Sequence, residues 1–141
     1  MRQPMPEYGG DVTTVHDITE WNALLARARQ QGALVLVDCF ARWCGPCRRA
    51  APIFARLSES YTGVIFAKVD VDTSHALAAH LEITAMPTFV LFKDSVVHYK
   101  LQGFRESALR DMILKSGAQP VMQSGAEDSD SESSSLVNSK V

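Results

Sequence analysis

One stretch constrains this chain more than any other. The apolar run Ala33-Leu34-Val35-Leu36-Val37 continues through Asp38, Cys39 and Phe40 and is followed two residues later by Trp43-Cys44-Gly45-Pro46-Cys47. An unbroken aliphatic run of this length marks a central strand covered on both faces. Pro46 suits the first turn of a helix, because its missing N–H would have no intrahelical partner there. Ala50, Phe54, Leu57 and Tyr61 fall in register along a helix expected from about Pro46 to Ser60, with Pro52 inside it to kink it. A buried strand, a short turn and a helix thus present two thiols at a helix start.

The remaining pattern alternates strand and helix. Asp11–Val15 is a short β-prone run. Asp17 and Glu20 resemble a capping box, after which Ile18, Trp21, Leu25 and Ala28 share a helical face until Gly32. Val64–Asp70 reads as a strand, Ser74–Leu81 as a short helix capped by Thr73, and Thr88–Lys93 as another strand. Asp94–Ser95 turns the chain into Val96–Leu101 to make a hairpin, and Glu106–Lys115 closes as a helix. The order βαβαβαββα predicts an α/β sandwich: a mixed sheet of about five strands flanked by four helices.

The folded unit is expected over residues 11–118, between a loose N-terminus (1–10) and a disordered tail (119–141). Residues 123–141 hold seven serines, four acidic residues and one lysine, too little apolar surface to offset chain entropy. Ser124 and Ser129 each have an acidic residue three positions on, the spacing an acidophilic kinase uses. With 141 residues the chain amounts to about one domain. Its net charge of −2 gives no reason to expect nucleic acid or an anionic membrane surface as a partner. The longest apolar run is far short of the ~20 residues of a membrane helix. Three cysteines do not make a disulfide-stapled secreted scaffold, and Met1–Gly10 has neither an apolar core nor an Arg-rich, acid-poor character. These features predict a soluble, cytoplasmic protein.

The chemistry lies in the two thiols. Unpaired N–H groups and the helix dipole at the start of a helix stabilise a thiolate at Cys44, while Cys47, one turn further in, is expected to be more buried with a higher pKa. Cys44 is then the exposed nucleophile and Cys47 the resolving thiol, and the two can close a redox-active disulfide. Asp38, a carboxylate inside an apolar strand, should have its pKa raised by burial. Cys39 reads most simply as a small buried hydrophobe, the alternative being a regulatory thiol. A zinc site of Cys44, Cys47, His75 and His80 is disfavoured: the 27 residues between Cys47 and His75 are about twice the usual ~12–15. The five-residue offset of the two histidines also turns them to different helix faces. No metal is expected.

Trp43-Cys44-Gly45-Pro46-Cys47 after Leu36-Val37-Asp38, with Met86-Pro87-Thr88 some forty residues on, closely resembles the thioredoxin family over roughly residues 12–117. The middle pair is usually Gly-His in protein disulfide isomerases, Pro-Tyr in glutaredoxins and Pro-Pro in tryparedoxins. The resemblance implies that Gly45 and Pro46 tune the couple toward a reductant. It implies that Asp38 deprotonates Cys47 through water, and it matches Lys68 to the lysine paired with that aspartate. Met86-Pro87-Thr88 matches a cis-proline loop whose Met86 backbone pairs with substrate. Gly103 matches a groove glycine, forming a flat apolar patch with Trp43, Gly45, Pro46, Met86 and Pro87. The chain departs from the family pattern at Cys39, Phe40, Ser95 and Phe104, positions that bear on packing and groove shape.

The implied function is a protein-disulfide reductase acting through Cys44 and Cys47 in cell redox homeostasis. It would be a monomer with no bound cofactor, drawing reducing equivalents from NADPH through a thioredoxin reductase. Its implied partners are that reductase and disulfide enzymes such as peroxiredoxins or ribonucleotide reductase. The alternative is a docking or chaperone module whose thiols are incidental.

Overall fold

The computed structural model describes residues 8–121. Its elements in chain order are β1 (Val12–Thr14), α1 (Ile18–Gln31), β2 (Leu34–Phe40), α2 (Gly45–Ser58), β3 (Tyr61–Thr62), β4 (Val64–Asp70), α3 (His75–His80), β5 (Thr88–Lys93), β6 (Val96–Gln102), α4 (Glu106–Lys115) and β7 (Gln119–Pro120). Five strands form one sheet in the order β1-β4-β2-β5-β6. β4 runs parallel to both β1 and β2, whereas β5 is antiparallel to β2 and to β6. This is the mixed sheet and helix order that the sequence pattern predicts.

Strand alternation on β2 divides the interior. Val35, Val37 and Cys39 join Trp21, Leu24 and Ala28 of α1 and Leu77 of α3 in one core. Leu36 joins Phe54 and Leu57 of α2 and Leu109, Met112 and Ile113 of α4 in another. Asp38, two residues beyond Leu36, therefore shares the sheet face that carries α2. Phe40, two further on, packs with Cys44 and Cys47.

Local signals place the helices. Asp17 caps α1 by accepting from the Glu20 N–H at 2.8 Å, and Glu20 reaches back to the His16 N–H at 2.8 Å. Gly32 ends it at φ +65°, donating to the Ala28 and Arg29 carbonyls. The buried face differs from the expected one: Leu24 is in the core, Leu25 lies at its margin and Ile18 is exposed. Trp21 sets this rotation, its ring meeting Phe92 edge-on at 5.1 Å. α2 runs through Pro52 and starts one residue before expectation, with Cys44 as its N-cap residue. α3 is shorter than expected and has Ser74 rather than Thr73 at its N-cap, without a side-chain capping bond.

Both boundaries of the 11–118 unit shift. Gln119 and Pro120 pair with Thr62 and Tyr61, and the Val121 N–H donates to the Ser60 carbonyl at 2.8 Å. Gly10 packs against α2, and the Asp11 N–H donates to Ser58 Oγ at 2.8 Å. Two-residue strands and single backbone contacts carry no hydropathy period, which is why the pattern does not show them. Residues 1–7 and 122–141, including Ser124 and Ser129, lie outside the described residues.

Candidate active site

The loop between β2 and α2 delivers the thiols. Cys44 and Cys47 are joined as a disulfide with their Cα atoms 5.2 Å apart. The Cys47 N–H donates to Cys44 Sγ at 3.2 Å, so the sulfur occupies the place of an N-cap acceptor. A developing thiolate there faces an unpaired helical N–H and the positive end of the α2 dipole. Cys47 is fully enclosed and Cys44 is only 6% exposed, so Cys44 is much less open than its position suggests. The enclosing groups are Phe40, Ala41, Val71 and Met86, which pack around the pair.

A second loop closes over the disulfide from β5. The Met86–Pro87 peptide bond is cis, as the sequence motif predicts, and the Met86 carbonyl oxygen lies 3.7 Å from Cys44 Sγ. The Gly103 N–H donates to the Pro87 carbonyl at 2.8 Å, which ties the end of β6 to the same loop. Trp43 is 52% exposed, and its indole N–H donates to Asp72 Oδ2 at 2.9 Å. Trp43 lies in the loop before α2, Gly45 and Pro46 form its first turn, and the Met86–Pro87 loop is tied to Gly103.

Sequence reasoning missed the carboxylates that brace this surface. Asp70, at the end of β4, accepts from Arg42 Nε at 3.1 Å and from the Asp72 N–H at 2.9 Å. Asp72 in turn holds Trp43. The alternating Asp70-Val71-Asp72 after a buried strand was the available signal, because two carboxylates at a strand's C-terminal end invite nearby donors.

Asp38 lies on β2, whose end leads into the loop that carries the pair. It is 4% exposed, and among the described residues its buried Oδ1 has no hydrogen-bond partner. Burial pushes its carboxyl up to about 7, the Lys68 ammonium pulling more weakly the other way. Lys68 is its register neighbour on β4. Both residues line a cavity of about 400 Å³ that also touches Phe54 and Ala55 of α2. Cys39 points to the opposite core, where burial pushes its thiol far above the ordinary range. His80 borders a separate cavity with Trp21 and Leu25. Among the described residues, no three Cys, His, Asp or Glu side chains gather where they could hold a metal ion.

Comparison with known proteins decides the family. The thioredoxin family model matches residues 12–115. The chain belongs to the thioredoxin family. It is 42% identical over 111 residues to an H-type thioredoxin of Chlamydomonas reinhardtii, spanning 78% of this chain and 98% of that relative. It is 40% identical to thioredoxin H1 of Arabidopsis thaliana, over 75% of this chain and 93% of the relative. Among solved structures, a poplar wild-type thioredoxin h superposes with a TM-score of 0.72 at 36% identity, covering 75% of this chain and 96% of that one. Fasciola hepatica thioredoxin gives 0.70 at 39% identity, covering 73% and 97%.

The fold is the thioredoxin fold, and the chain is a thiol–disulfide oxidoreductase whose Cys-x-x-Cys pair is its redox-active disulfide. Thioredoxins bind no cofactor themselves and act on disulfide-bearing proteins. A docking or chaperone module with incidental thiols is not favoured. Among the described residues no helix is long and apolar enough to cross a membrane.

Proposed function

We propose that this thioredoxin is a cytoplasmic reductant of protein disulfides, recharged from NADPH by a thioredoxin reductase. The observation that carries the assignment of roles is the place of Cys44 Sγ at the N-cap of α2, accepting the Cys47 N–H. The Cys44 thiolate attacks one sulfur of a substrate disulfide, forming a mixed disulfide and expelling the first substrate thiolate. Cys47 then gives its proton through water to the ionised Asp38 carboxylate, and its thiolate attacks Cys44 Sγ. The second substrate thiolate leaves as the Cys44–Cys47 bond forms. Two electrons pass to the substrate, and its two thiolates take up two protons, one from the Cys47 thiol by way of Asp38 and water and one from the solvent.

Lys68, beside Asp38 in register, favours the ionised carboxylate and tunes that proton transfer. Gly45 and Pro46 set the tight start of α2 and with it the potential of the couple. Trp43, Met86, Pro87 and Gly103 form the surface on which a substrate segment lies, with the Met86 backbone available for strand-like pairing. Peroxiredoxins and ribonucleotide reductase are disulfide enzymes of the class such a carrier serves.

An NADPH-coupled assay with thioredoxin reductase and insulin tests the reading. The full chain should support continuous NADPH oxidation, and Cys44→Ser should abolish it. Cys47→Ser should retain attack and accumulate a mixed disulfide visible as a mass adduct. Equal trapping by both variants would reverse or void the assignment of roles.

A further inference from the structure

The cavity that holds Asp38 has lining residues that the reaction as described does not use. Tyr8 and Gly9 line it, together with Val12 and Thr14 of β1. The segment is fixed at its next residue. Gly10 has φ +81°, and a Cβ there would meet the Ala55 carbonyl oxygen at 2.6 Å and Ser58 Oγ at 2.8 Å. Only glycine allows both that conformation and that approach. The following N–H, that of Asp11, donates to the same Ser58 Oγ at 2.8 Å. Ser58 is itself buried in α2. The backbone before β1 is therefore strapped onto α2, and the strap holds Tyr8 and Gly9 against the cavity that contains Asp38.

We propose that Tyr8–Gly10 is a positioning strap that narrows the outer end of this cavity and limits water and proton exchange with the Asp38 carboxyl. The ionisable groups that line the cavity with that carboxyl are Lys68 and Asp70 on β4, Arg42 after β2, His16 before α1 and Tyr8 on the strap, and Cys39 lies beside Asp38 on β2. Arg42 and Asp70 are paired with each other, and His16 is paired with Glu20. Lys68 is the one whose charge acts on Asp38. The carboxyl depends on the cavity for contact with solvent, since among the described residues Oδ1 has no hydrogen-bond partner. Water admitted past the strap would hydrate the ionised form and lower the pKa toward the ordinary carboxylate range.

This inference rests on the proposed role of Asp38 only for its effect on rate, so the test separates the two. The Asp38 carboxyl is titrated by carbon NMR in the oxidised full chain, and reduction rate is followed against pH. Gly10→Ala, whose new Cβ must push the strap off α2, should lower the Asp38 midpoint by about one unit. That shift would raise the fraction ionised at pH 6 about fivefold and leave the rate above pH 8 unchanged. Tyr8→Ala, a change at a side chain 43% exposed, should move the midpoint the same way by less, and Tyr8→Phe should leave it as in the parent. An unmoved midpoint in both Gly10→Ala and Tyr8→Ala overturns the proposal, even if Gly10→Ala is less stable. If Asp38→Asn leaves the pH–rate profile unaltered, the proton-acceptor role fails instead, while the midpoints still judge the strap.

Discussion

Asp38 shows how one side chain sets opposing demands on stability and activity. Its carboxyl is raised from an ordinary 3.8 to about 7 by burial. A group whose folded pKa exceeds its unfolded one contributes fully below the unfolded value, and that contribution is lost as pH rises through the folded value. Stability should therefore decline between about pH 4 and pH 7, by roughly 4 kcal/mol at ~1.4 kcal/mol per unit. Asp38→Asn keeps the size and removes the ionisation. It should match the parent near pH 4 and be several kcal/mol more stable above pH 7, yet slower in resolving mixed disulfides. Urea unfolding across that range, with single-turnover reduction alongside, checks both halves. A variant less stable than the parent at pH 8 would mean that the carboxylate is well solvated in the native state.

At the scale of elements, the small pairing of β3 with β7 carries a consequence for where the chain can be cut. A chain ended after Ala118 loses the Tyr61–Pro120 and Thr62–Gln119 pairs and the bond from Val121 to Ser60. A chain ended after Val121 keeps them. The shorter one should be less stable by about 1–2 kcal/mol, at ~1 kcal/mol per net hydrogen bond. That difference would lower its melting midpoint by several degrees, about 4–8 °C per kcal/mol for a domain near this size. Coincident melts followed by circular dichroism would show that the pair adds nothing. The same pair marks the limit of what sequence pattern reveals. β2, β4 and β5 were legible because their apolar runs are long, and α2 because Pro46 and the Ala50–Phe54–Leu57 spacing fix its start and face. β3 and β7 are two residues each, too short to show a period. On α1 the spacing allows either Leu24 or Leu25 to be the inner residue, and only the contact of Trp21 with Phe92 across the core decides for Leu24. In the site, the thiols, Asp38 and Met86-Pro87 were legible as motifs. Ser58 was not, because the backbone at Asp11 is brought near it only by the tertiary fold, and for Asp72 the strand-end carboxylates were a signal that did not name Trp43 as the partner.

Over the whole molecule, the site loops gather at one end of the sheet. The chain leaves β2 at Phe40 toward Cys44, leaves β4 at Asp70 toward Asp72, and enters β5 after Pro87. β2 and β4 are parallel, so their carboxyl ends coincide, the usual place for chemistry in a sheet of this kind. The sheet also divides the cysteines: Cys44 and Cys47 lie beyond the end of β2, and Cys39 is sealed in the core against α1 and α3. In the oxidised protein the first two are joined and Cys39 is the remaining thiol, with no exposed surface. The oxidised chain therefore carries a built-in clock for its own breathing. A thiol-reactive label has one place to add, and it can add only when the sheet opens. Uptake counted by intact mass should be slower than at a free thiol by the opening equilibrium, ~10³-fold or more for a domain of ordinary stability. Each labelled molecule has then opened this core at least once, and its redox couple takes no part in the count.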